Sequence, residues 1–389
     1  MKIIHTSDWH LGQNLYGYDR LEEQRLALGQ IEALLRQERP DALIVSGDIY
    51  DTPQPSSAVQ TLFTEAVLGM HRASPGTAVI ITAGNHDSGA RHEISRVLWE
   101  TQQVYMIGTI DKEDALGQVV ELPGKGYVIA VPYSSERHIP EGFWQGLLDS
   151  VAARNGAGLP VVLSAHLTVS GCDFRGHENA KDTAVGGIEA IGPEELGTGF
   201  DYGALGHIHR AQTLRGAGGQ VLRYSGTPIP VSFDENCPHT VSVVEIASHG
   251  AAPLIREVPI RNPYPLVTLP SDGFAPWDRV KQLLLAYPKD HPSYVRLNVE
   301  VEDVLPPDAI AEARRILSEG EGRYCLVNAR RKQADAAGKT SLSVSEFRAM
   351  EPLDVARLYA RESGRVFDED LAALFREVEE AVREEERNA

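Results

Sequence analysis

The stretch Gly84-Asn85-His86-Asp87 decides the fold, because it follows an apolar, β-branched run at 79–82 that is typical of a buried strand. Gly84 permits a sharp turn, and the next three residues place an amide, an imidazole and a carboxylate on it. One such tetrapeptide is weak evidence. Four other apolar runs end in comparable side chains, at Asp8-Trp9-His10, Gly47-Asp48, Ala165-His166 and Gly206-His207-Ile208-His209. Together the five strand ends predict one metal site that the rest of the chain supports.

The segments around these motifs predict a layered α/β fold. Residues 3–7 and 42–46 are expected to be strands, and 21–39 an amphipathic helix that Pro40 ends. Functional groups at the carboxyl ends of strands are typical of such folds. Further helices are predicted at 57–72 and from Ser95 onward. Further strands are predicted at 127–131, 161–165, 201–205, 221–225 and 240–246, the last of which is expected to close the sheet region.

The texture of the sequence changes after residue 264. Three short strands (266–269, 294–301, 324–329) and two helices (277–286, 307–317) predict a small α+β domain over 265–335. Residues 336–389 are expected to form a linker and an acidic helical tail. An apolar seam in the tail is compatible with docking on a partner or with packing on the chain's own domain. The predicted organisation is therefore 1–264, 265–335 and 336–389.

Composition limits the class of protein without identifying its partner. The chain has 389 residues, 42% of them hydrophobic and 24% charged, which is ordinary for a globular protein. No run approaches the roughly 20 apolar residues that span a membrane. Residues 1–5 enter a strand directly, and three scattered cysteines fit neither a disulfide framework nor a zinc knuckle, so a cytoplasmic protein is expected. A net charge of −18 argues against nucleic acid, although carboxylates that bind metal would be neutralised.

The polar strand ends have the chemistry of a divalent metal site. Carboxylate, amide and imidazole ligands suit Mn²⁺, Fe²⁺, Zn²⁺ or Mg²⁺, and no cysteine ligand points to structural zinc. The candidate ligands are Asp8, His10, Asp48, Asn85, His166, His207 and His209. Such a set exceeds one tetrahedral ion and suits two ions that share a carboxylate. Two ions about 4 Å apart can hold a phosphate and lower the pKa of an attacking water.

Two neighbours of Asn85 are expected to act differently from the ligands. His86 cannot easily share a metal ion with Asn85, because adjacent side chains diverge, so it is a candidate to protonate a leaving oxygen or to stabilise the transition state. Asp87 is expected to orient the turn. Taken singly, each of these residues could be a turn residue or a buried polar residue of the core, and only the set favours a metal site.

The motifs resemble those of the calcineurin-like metallophosphoesterases over residues 1 to about 230, in Asp8-x-His10, Gly47-Asp48, Gly84-Asn85-His86-Asp87, His166 and Gly206-His207-x-His209. Residues 7–12, 206–210 and 224–235 are similar in local sequence to the bacterial DNA-end-processing nucleases of that family. The resemblance implies an α/β fold with a four-layer β-sandwich flanked by helices, then a small α+β capping domain and a C-terminal helical tail.

The resemblance also implies roles for individual residues. One ion would take Asp8, His10, Asp48 and His209, and the other would take Asp48, Asn85, His166 and His207, with Asp48 bridging and His86 catalytic. The capping domain at 265–335 would help to grip DNA. The tail would bind a coiled-coil ATPase, and helices near 57–72 and 92–104 would form a homodimer. Archaeal and eukaryotic relatives carry a histidine where this chain has Asp51.

The predicted function is therefore a nuclease that hydrolyses DNA with two divalent ions, of which Mn²⁺ is favoured. Exonuclease action on double-strand ends and endonuclease action on hairpins and single strands would serve DNA repair, recombination and replication at the nucleoid. The alternatives are a metallophosphatase or small-molecule phosphodiesterase of the same fold, and a non-catalytic scaffold. Ser/Thr phosphatases of this fold carry Gly-Asp-x-x-Asp-Arg and Gly-Asn-His-Glu, whereas this chain has Thr52 and Asp87.

Overall fold

A computed structural model describes residues 1–111, 115–134, 139–175 and 190–332, together with a few positions between 353 and 375. The helices are α1 (Leu21–Glu38), α2 (Ser57–Ala73), α3 (Gly89–Ile94), α4 (Arg96–Glu100), α5 (Phe143–Arg154), α6 (Trp277–Leu285) and α7 (Ala309–Leu317), with a 3₁₀ turn at Ala115–Gln118. Among the described residues, no helix combines the length and the apolar character that crossing a membrane requires.

The strands are β1 (Lys2–Thr6), β2 (Asn14–Leu15), β3 (Tyr18–Asp19), β4 (Ala42–Ser46), β5 (Ala78–Thr82), β6 (Val104–Ile107), β7 (Val119–Leu122), β8 (Gly126–Val131), β9 (Val161–His166), β10 (Thr168–Val169), β11 (Ala190–Ile191), β12 (Tyr202–Gly206), β13 (Gln212–Arg215), β14 (Val221–Tyr224), β15 (Thr240–Glu245), β16 (Leu254–Pro259), β17 (Leu266–Leu269), β18 (Ala275–Pro276), β19 (Ser293–Val301) and β20 (Gly322–Arg331).

Two six-stranded mixed sheets face each other. Their strand orders are β16-β15-β1-β4-β5-β6 and β13-β14-β12-β9-β8-β7. One apolar cluster draws side chains such as Ile44, Ile80, Val128 and Val162 from both sheets and fills the space between them. A second cluster packs α1 and α2 on the outer face of the first sheet, and a third packs α5 on the second sheet. The predicted four layers of helix, sheet, sheet and helix are present.

The sandwich brings the carboxyl ends of strands from both sheets to one edge. In the first sheet β1, β4 and β5 run parallel, and in the second β9 and β12 run parallel. Ser46 fixes the two sheets against each other, because its hydroxyl lies 3.0 Å from that of Ser164 and donates to the Ala204 carbonyl over 2.9 Å. The five predicted strand ends consequently meet in space.

A smaller sheet follows the sandwich. Strands β17, β18 and β20 each pair parallel with β19, and α6 and α7 pack on the sheet through their own apolar cluster. Residues Met1–Arg331 form one compact unit and Lys332–Ala389 a second. The predicted division of the chain at residue 264 stays a prediction. The predicted linker and helical tail at 336–389 lie almost wholly outside the described residues.

The structure corrects two details of the sequence analysis. The strand at 240–246 does not close the sheet region, because β16 pairs antiparallel with it at the edge of the first sheet. Strand β16 has charged and mostly exposed residues, which suit the edge of a sheet and weaken the sequence pattern that would predict a strand. The helix expected from Ser95 onward is instead two short helices, α3 and α4, separated by Ser95 in a non-helical conformation (φ −108°, ψ 8°).

The space between the two sheets allows a test of the sandwich. Ile44 is fully buried there, so Ile44→Ala should lower the free energy of unfolding by about 2–5 kcal/mol, through lost apolar burial and the cavity that remains. Urea unfolding followed by circular dichroism measures the change. Leu254→Ala is the control, since Leu254 is 72% exposed on the edge strand β16 and its truncation should cost less than about 0.5 kcal/mol. Equal effects of the two substitutions would contradict the burial of Ile44.

Candidate metal centre

Several of the predicted ligands stand on unusual backbone. Asp8, His10 and Asp48 have φ values of 53°, 44° and 50°, and His207 has 94°. Non-glycine residues rarely adopt these conformations, which cost free energy and persist where the surrounding structure enforces them. Here the buried strands β1, β4 and β12 enforce them, since each of these residues follows a strand end directly or within four positions. The strained positions turn the side chains into a common pocket at the sheet edge.

Gly84 is needed for close approach rather than for its backbone conformation. Its φ is not positive, so the turn after β5 does not use a left-handed glycine. A Cβ at this position would lie 2.1 Å from Asp48 Oδ1 and 2.3 Å from Asp48 N. The backbone of the Gly84-Asn85-His86-Asp87 stretch therefore touches the Asp48 carboxylate, and the amide of His86 donates to Oδ1 of Asp48 over 2.9 Å.

Asp8, His10 and His209 form the first group of possible ligands. One ligand atom from each lies within 4.8 Å of the others. The Nε2 atoms of His10 and His209 face each other at 3.2 Å. The Asp8 carboxylate is fully buried and accepts hydrogen bonds from the Ser7 hydroxyl (2.5 Å) and the His207 amide (3.0 Å).

Asp48, His166 and His207 form the second group, with ligand atoms again within 4.8 Å of one another. Asn85 completes it, because its Oδ1 lies 3.0 Å from His166 Nε2 and 2.9 Å from His207 Nδ1. His166 donates from Nδ1 to the Ser46 carbonyl over 2.8 Å, which directs Nε2 into the group. Asp48 Oδ2 lies 3.3 Å from His166 Nε2 and 3.7 Å from His10 Nε2, so this carboxylate joins the two groups.

His86 lies beside the junction of the two groups. Its ligand atom falls within 4.8 Å of those of His10 and Asp48, and its ring meets the ring of His10 edge-on with centroids 4.9 Å apart. Nδ1 of His86 donates to the Asp51 carbonyl over 3.0 Å. Since Nδ1 is engaged, Nε2 is the atom through which His86 can exchange a proton. The structure thus places all seven predicted ligands and His86 together.

Asp87 has the orienting role expected of it. Its carboxylate accepts from the amides of Gly84 (2.8 Å), Ile49 (3.1 Å) and Tyr50 (2.9 Å). These three bonds tie the loop after β5 to the loop after β4. Asp87 therefore fixes the distance between Asn85 and Asp48, which belong to the same group of possible ligands.

The charges of the site depend on each other. Burial disfavours a charged ring, but the carboxylates of Asp51, Asp48 and Asp8 prevail and raise the pKa of His10 to about 9. Burial and then Asp48 act on His166 in the same way, and its pKa is also raised to about 9. Burial opposes ionisation of Asp48 as well, yet the neighbouring imidazoles lower its pKa. Burial and the cation of His10 lower the pKa of His209 to about 3.

The donor set fits divalent metal ions. Two carboxylates, one amide and four imidazoles converge with their oxygen and nitrogen atoms within ligand reach of common points, which is the chemistry that Mn²⁺, Fe²⁺ and Zn²⁺ prefer. Protonated His10 and His166 place positive charge where the ions would otherwise lie. Because a ligating imidazole must be neutral, binding of ions requires these protons to leave.

Two residues that support the site escaped the sequence analysis. Glu235 lies 2.9 Å from His209 Nδ1 at its Oε1. Asp51 lies 3.5 Å from His10 Nδ1 at its Oδ1. Glu235 ends the stretch 224–235 that carried part of the family resemblance, but no strand end or spacing marks it as a site residue. Asp51 stood out only as a departure from the histidine of distant relatives.

The close approach at Gly84 predicts the effect of one added methyl group. Gly84→Ala should displace the Asp48 carboxylate and weaken Mn²⁺ binding by more than about 10-fold, since Asp48 serves both groups of ligands. Isothermal titration of the metal-free protein with Mn²⁺ measures the change. Gly29→Ala is the matched control: Gly29 is exposed on α1, nothing lies within 4 Å of an added Cβ, and binding should be unchanged. Wild-type affinity in Gly84→Ala would contradict the arrangement.

The raised pKa values predict that protons leave when ions bind. With pKa values of about 9, the rings of His10 and His166 carry the second proton of the imidazolium form at pH 7 in the metal-free protein. Mn²⁺ should therefore release about two protons per chain at pH 7, and the release should fall by about half at pH 9 and vanish well above it, where the rings are neutral. Titration calorimetry in buffers of different ionisation enthalpy counts these protons. Binding of Mn²⁺ without proton release at pH 7 would contradict the expectation that His10 and His166 are cationic in the metal-free protein.

Comparison with known proteins agrees with this geometry. The sequence profile of the calcineurin-like phosphoesterases matches residues 1–211. The chain is similar to the SbcD component of the nuclease SbcCD from Rhodobacter capsulatus, with 34% identity over 311 residues, covering 71% of this chain and 73% of the relative. The SbcD proteins of Bacillus subtilis (27% identity, 99% and 100% covered) and Escherichia coli K12 (31% identity, 60% and 62% covered) are also similar to it.

These matches cover the strand ends that carry the possible metal ligands and, in one relative, the whole length of the chain. The matched profile implies divalent metal ions, and the described residues hold three overlapping groups of side chains that could bind them. The chain belongs to the calcineurin-like phosphoesterases and, within them, to the SbcD family of nucleases, which makes it a hydrolase of phosphodiester bonds.

Proposed function

We propose that the chain is a Mn²⁺-dependent DNA nuclease, active as an exonuclease on double-strand ends and as an endonuclease on hairpins and single strands. The observation that carries the proposal is the pair of ligand groups joined through Asp48, with His86 at the junction. One ion is assigned to Asp8, His10, Asp48 and His209, and the other to Asp48, Asn85, His166 and His207. When bound, the two ions would polarise the phosphodiester and acidify the attacking water.

His86 is the proposed catalytic residue. Its Nδ1 is held by the Asp51 carbonyl, so the ring presents Nε2 to the space between the ligand groups. A protonated Nε2 can donate to the oxygen that leaves phosphorus, or to a phosphate oxygen as charge develops on it. The backbone amide of His86 binds Asp48 at the same time, which keeps the ring in register with the ligand that both ions share.

The proposed partners are DNA and an SbcC-type ATPase with a coiled coil. The relatives are named as one component of a two-part nuclease, SbcCD, which supports a second protein in the complex. We assign the nuclease domain to 1–264, DNA gripping to a capping domain at 265–335 and ATPase binding to the tail at 336–389. The setting would be DNA repair, recombination and replication at the cytoplasmic nucleoid. A net charge of −18 implies that DNA binding by the chain alone is weak.

A homodimer through α2 and the region of α3 and α4 is part of the proposal. Ile94, Val97 and Leu98 are 80%, 79% and 72% exposed, and they lie next to one another in sequence at the surface of these short helices. Clustered exposed aliphatic residues of this kind favour association with another surface. A second copy of the chain would cover them.

Cleavage of a labelled DNA hairpin with a double-strand stem tests the function. The purified chain should cut it with Mn²⁺ and not with EDTA. His86→Ala should lower kcat by about 10²- to 10⁴-fold, which is typical for loss of a general acid. A phosphomonoester substrate is assayed in parallel. Turnover of the phosphomonoester without cleavage of DNA would replace the nuclease by the phosphatase alternative.

Metal titration of the His86 variant separates catalysis from ligation. His86→Ala should still bind two Mn²⁺ ions, because the proposed ligands remain in place. His86 also lies within ligand reach of His10 and Asp48, so loss of one ion would show that it is a ligand and not the proton donor. His291→Ala is the control: His291 is an exposed histidine near the small sheet, and its removal should leave both kcat and metal binding unchanged.

A further inference from the structure

Glu235 is a buried carboxylate directly behind one of the proposed metal ligands. Glu235 is 8% exposed, and its Oε1 lies 2.9 Å from His209 Nδ1. The other oxygen, Oε2, accepts from the Thr227 hydroxyl over 3.1 Å and from the Val231 amide over 3.3 Å. A carboxylate with two such donors on Oε2 is held in one orientation. A buried carboxylate is costly unless its oxygens are satisfied, and here His209 satisfies Oε1.

The contact fixes which nitrogen of His209 can bind a metal ion. A metal ion at Nε2 of His209 needs the lone pair of that atom, which leaves the hydrogen on Nδ1, where it is donated to Oε1 of Glu235. Nε2 is the atom that faces His10 Nε2 at 3.2 Å in the first ligand group. The second group is oriented by other parts of the chain, with His166 held by the Ser46 carbonyl and His207 placed against Asn85.

The residues next to Glu235 are held by the small sheet. Arg296 on β19 donates from Nη1 to Asp234 Oδ1 over 3.0 Å and from Nη2 to the Phe233 carbonyl over 3.3 Å. Its guanidinium also lies 5.1 Å from the centroid of the Phe233 ring. Phe233 in turn is buried against Leu15 and Tyr294. Three kinds of contact from one arginine thus locate the two residues that precede Glu235.

We propose that Glu235 is a positioning residue for the ion at Asp8, His10 and His209, and that Arg296 sets its position from the small sheet. A change in the small sheet would thereby alter the affinity for one of the two ions and leave the affinity for the other unchanged. The inference rests on the proposed two-ion site and adds that the affinities for the two ions depend on different parts of the chain. Carboxylates behind metal-bound histidines raise the basicity of the ring and fix its orientation, and their loss typically weakens binding 10- to 100-fold.

The test is titration of the full chain with Mn²⁺. Calorimetry measures the heat of binding, and electron paramagnetic resonance measures the concentration of unbound Mn²⁺. Glu235→Ala should weaken one of two binding steps by about 10- to 100-fold and leave the other within about 3-fold. Glu235→Gln should weaken the same step less, since its amide oxygen can still accept from His209. Arg296→Ala should weaken that step too, whereas Arg330→Ala, which removes an arginine from the same sheet away from this segment, should have no effect.

Each outcome bears on a different proposal. If the wild-type chain binds two ions and Glu235→Ala weakens both steps equally or neither, the positioning role of Glu235 is overturned while the two-ion site stands. If Arg296→Ala matches the wild type, the link to the small sheet is overturned. If the wild-type chain does not bind two ions, the proposed metal site itself fails. Glu235→Gln keeps nearly the same shape and therefore guards against loss of folding in Glu235→Ala.

Discussion

The Asp48 carboxylate is the constraint on which the site depends. It lies between the two groups of ligands and is close enough to contribute an oxygen to each. A left-handed backbone at Asp48, the His86 amide and the bare Cα of Gly84 all serve to hold it there. The left-handed backbone at Asp48 costs free energy by itself, and the hydrogen bond from His86 depends on the close approach at Gly84. They occur together because one carboxylate must face ligands from two different sheets.

The β-sandwich provides the stability that this arrangement requires. Residues in left-handed conformations and clustered buried charges both raise the free energy of the native state. The opposing contribution comes from the apolar layers between the sheets and under α1, α2 and α5, where most side chains are fully buried. The strands thus form a rigid frame, and the left-handed positions Asp8, His10, Asp48 and His207 lie on the loops that leave their carboxyl ends. A site on those loops can be exact in geometry because the strands before them cannot shift.

The sequence predicted the contents of the site better than its support. Asp48, Asn85 and the four histidines follow apolar runs that predict strands. Because parallel strands bring their carboxyl ends to one edge whatever the conformation of the loops, the hydrophobic pattern was enough to predict these residues. Glu235 is different, because it approaches His209 only through the path of the loop from Thr227 to Asp234, which no local pattern encodes. Strand β16 was missed for a related reason: its partner decides its conformation, and its own exposed charges resemble a loop.

Electrostatics links the ions to the proposed substrate. With a net charge of −18, the chain has no general attraction for a phosphate backbone. The metal-free site offsets its carboxylates with protons on His10 and His166, whose pKa values are raised to about 9. Divalent ions would replace each of those single charges with a double one at the same place. A phosphodiester of the proposed substrate would then meet positive charge at the reacting centre itself, so that occupancy by metal and affinity for DNA should rise together.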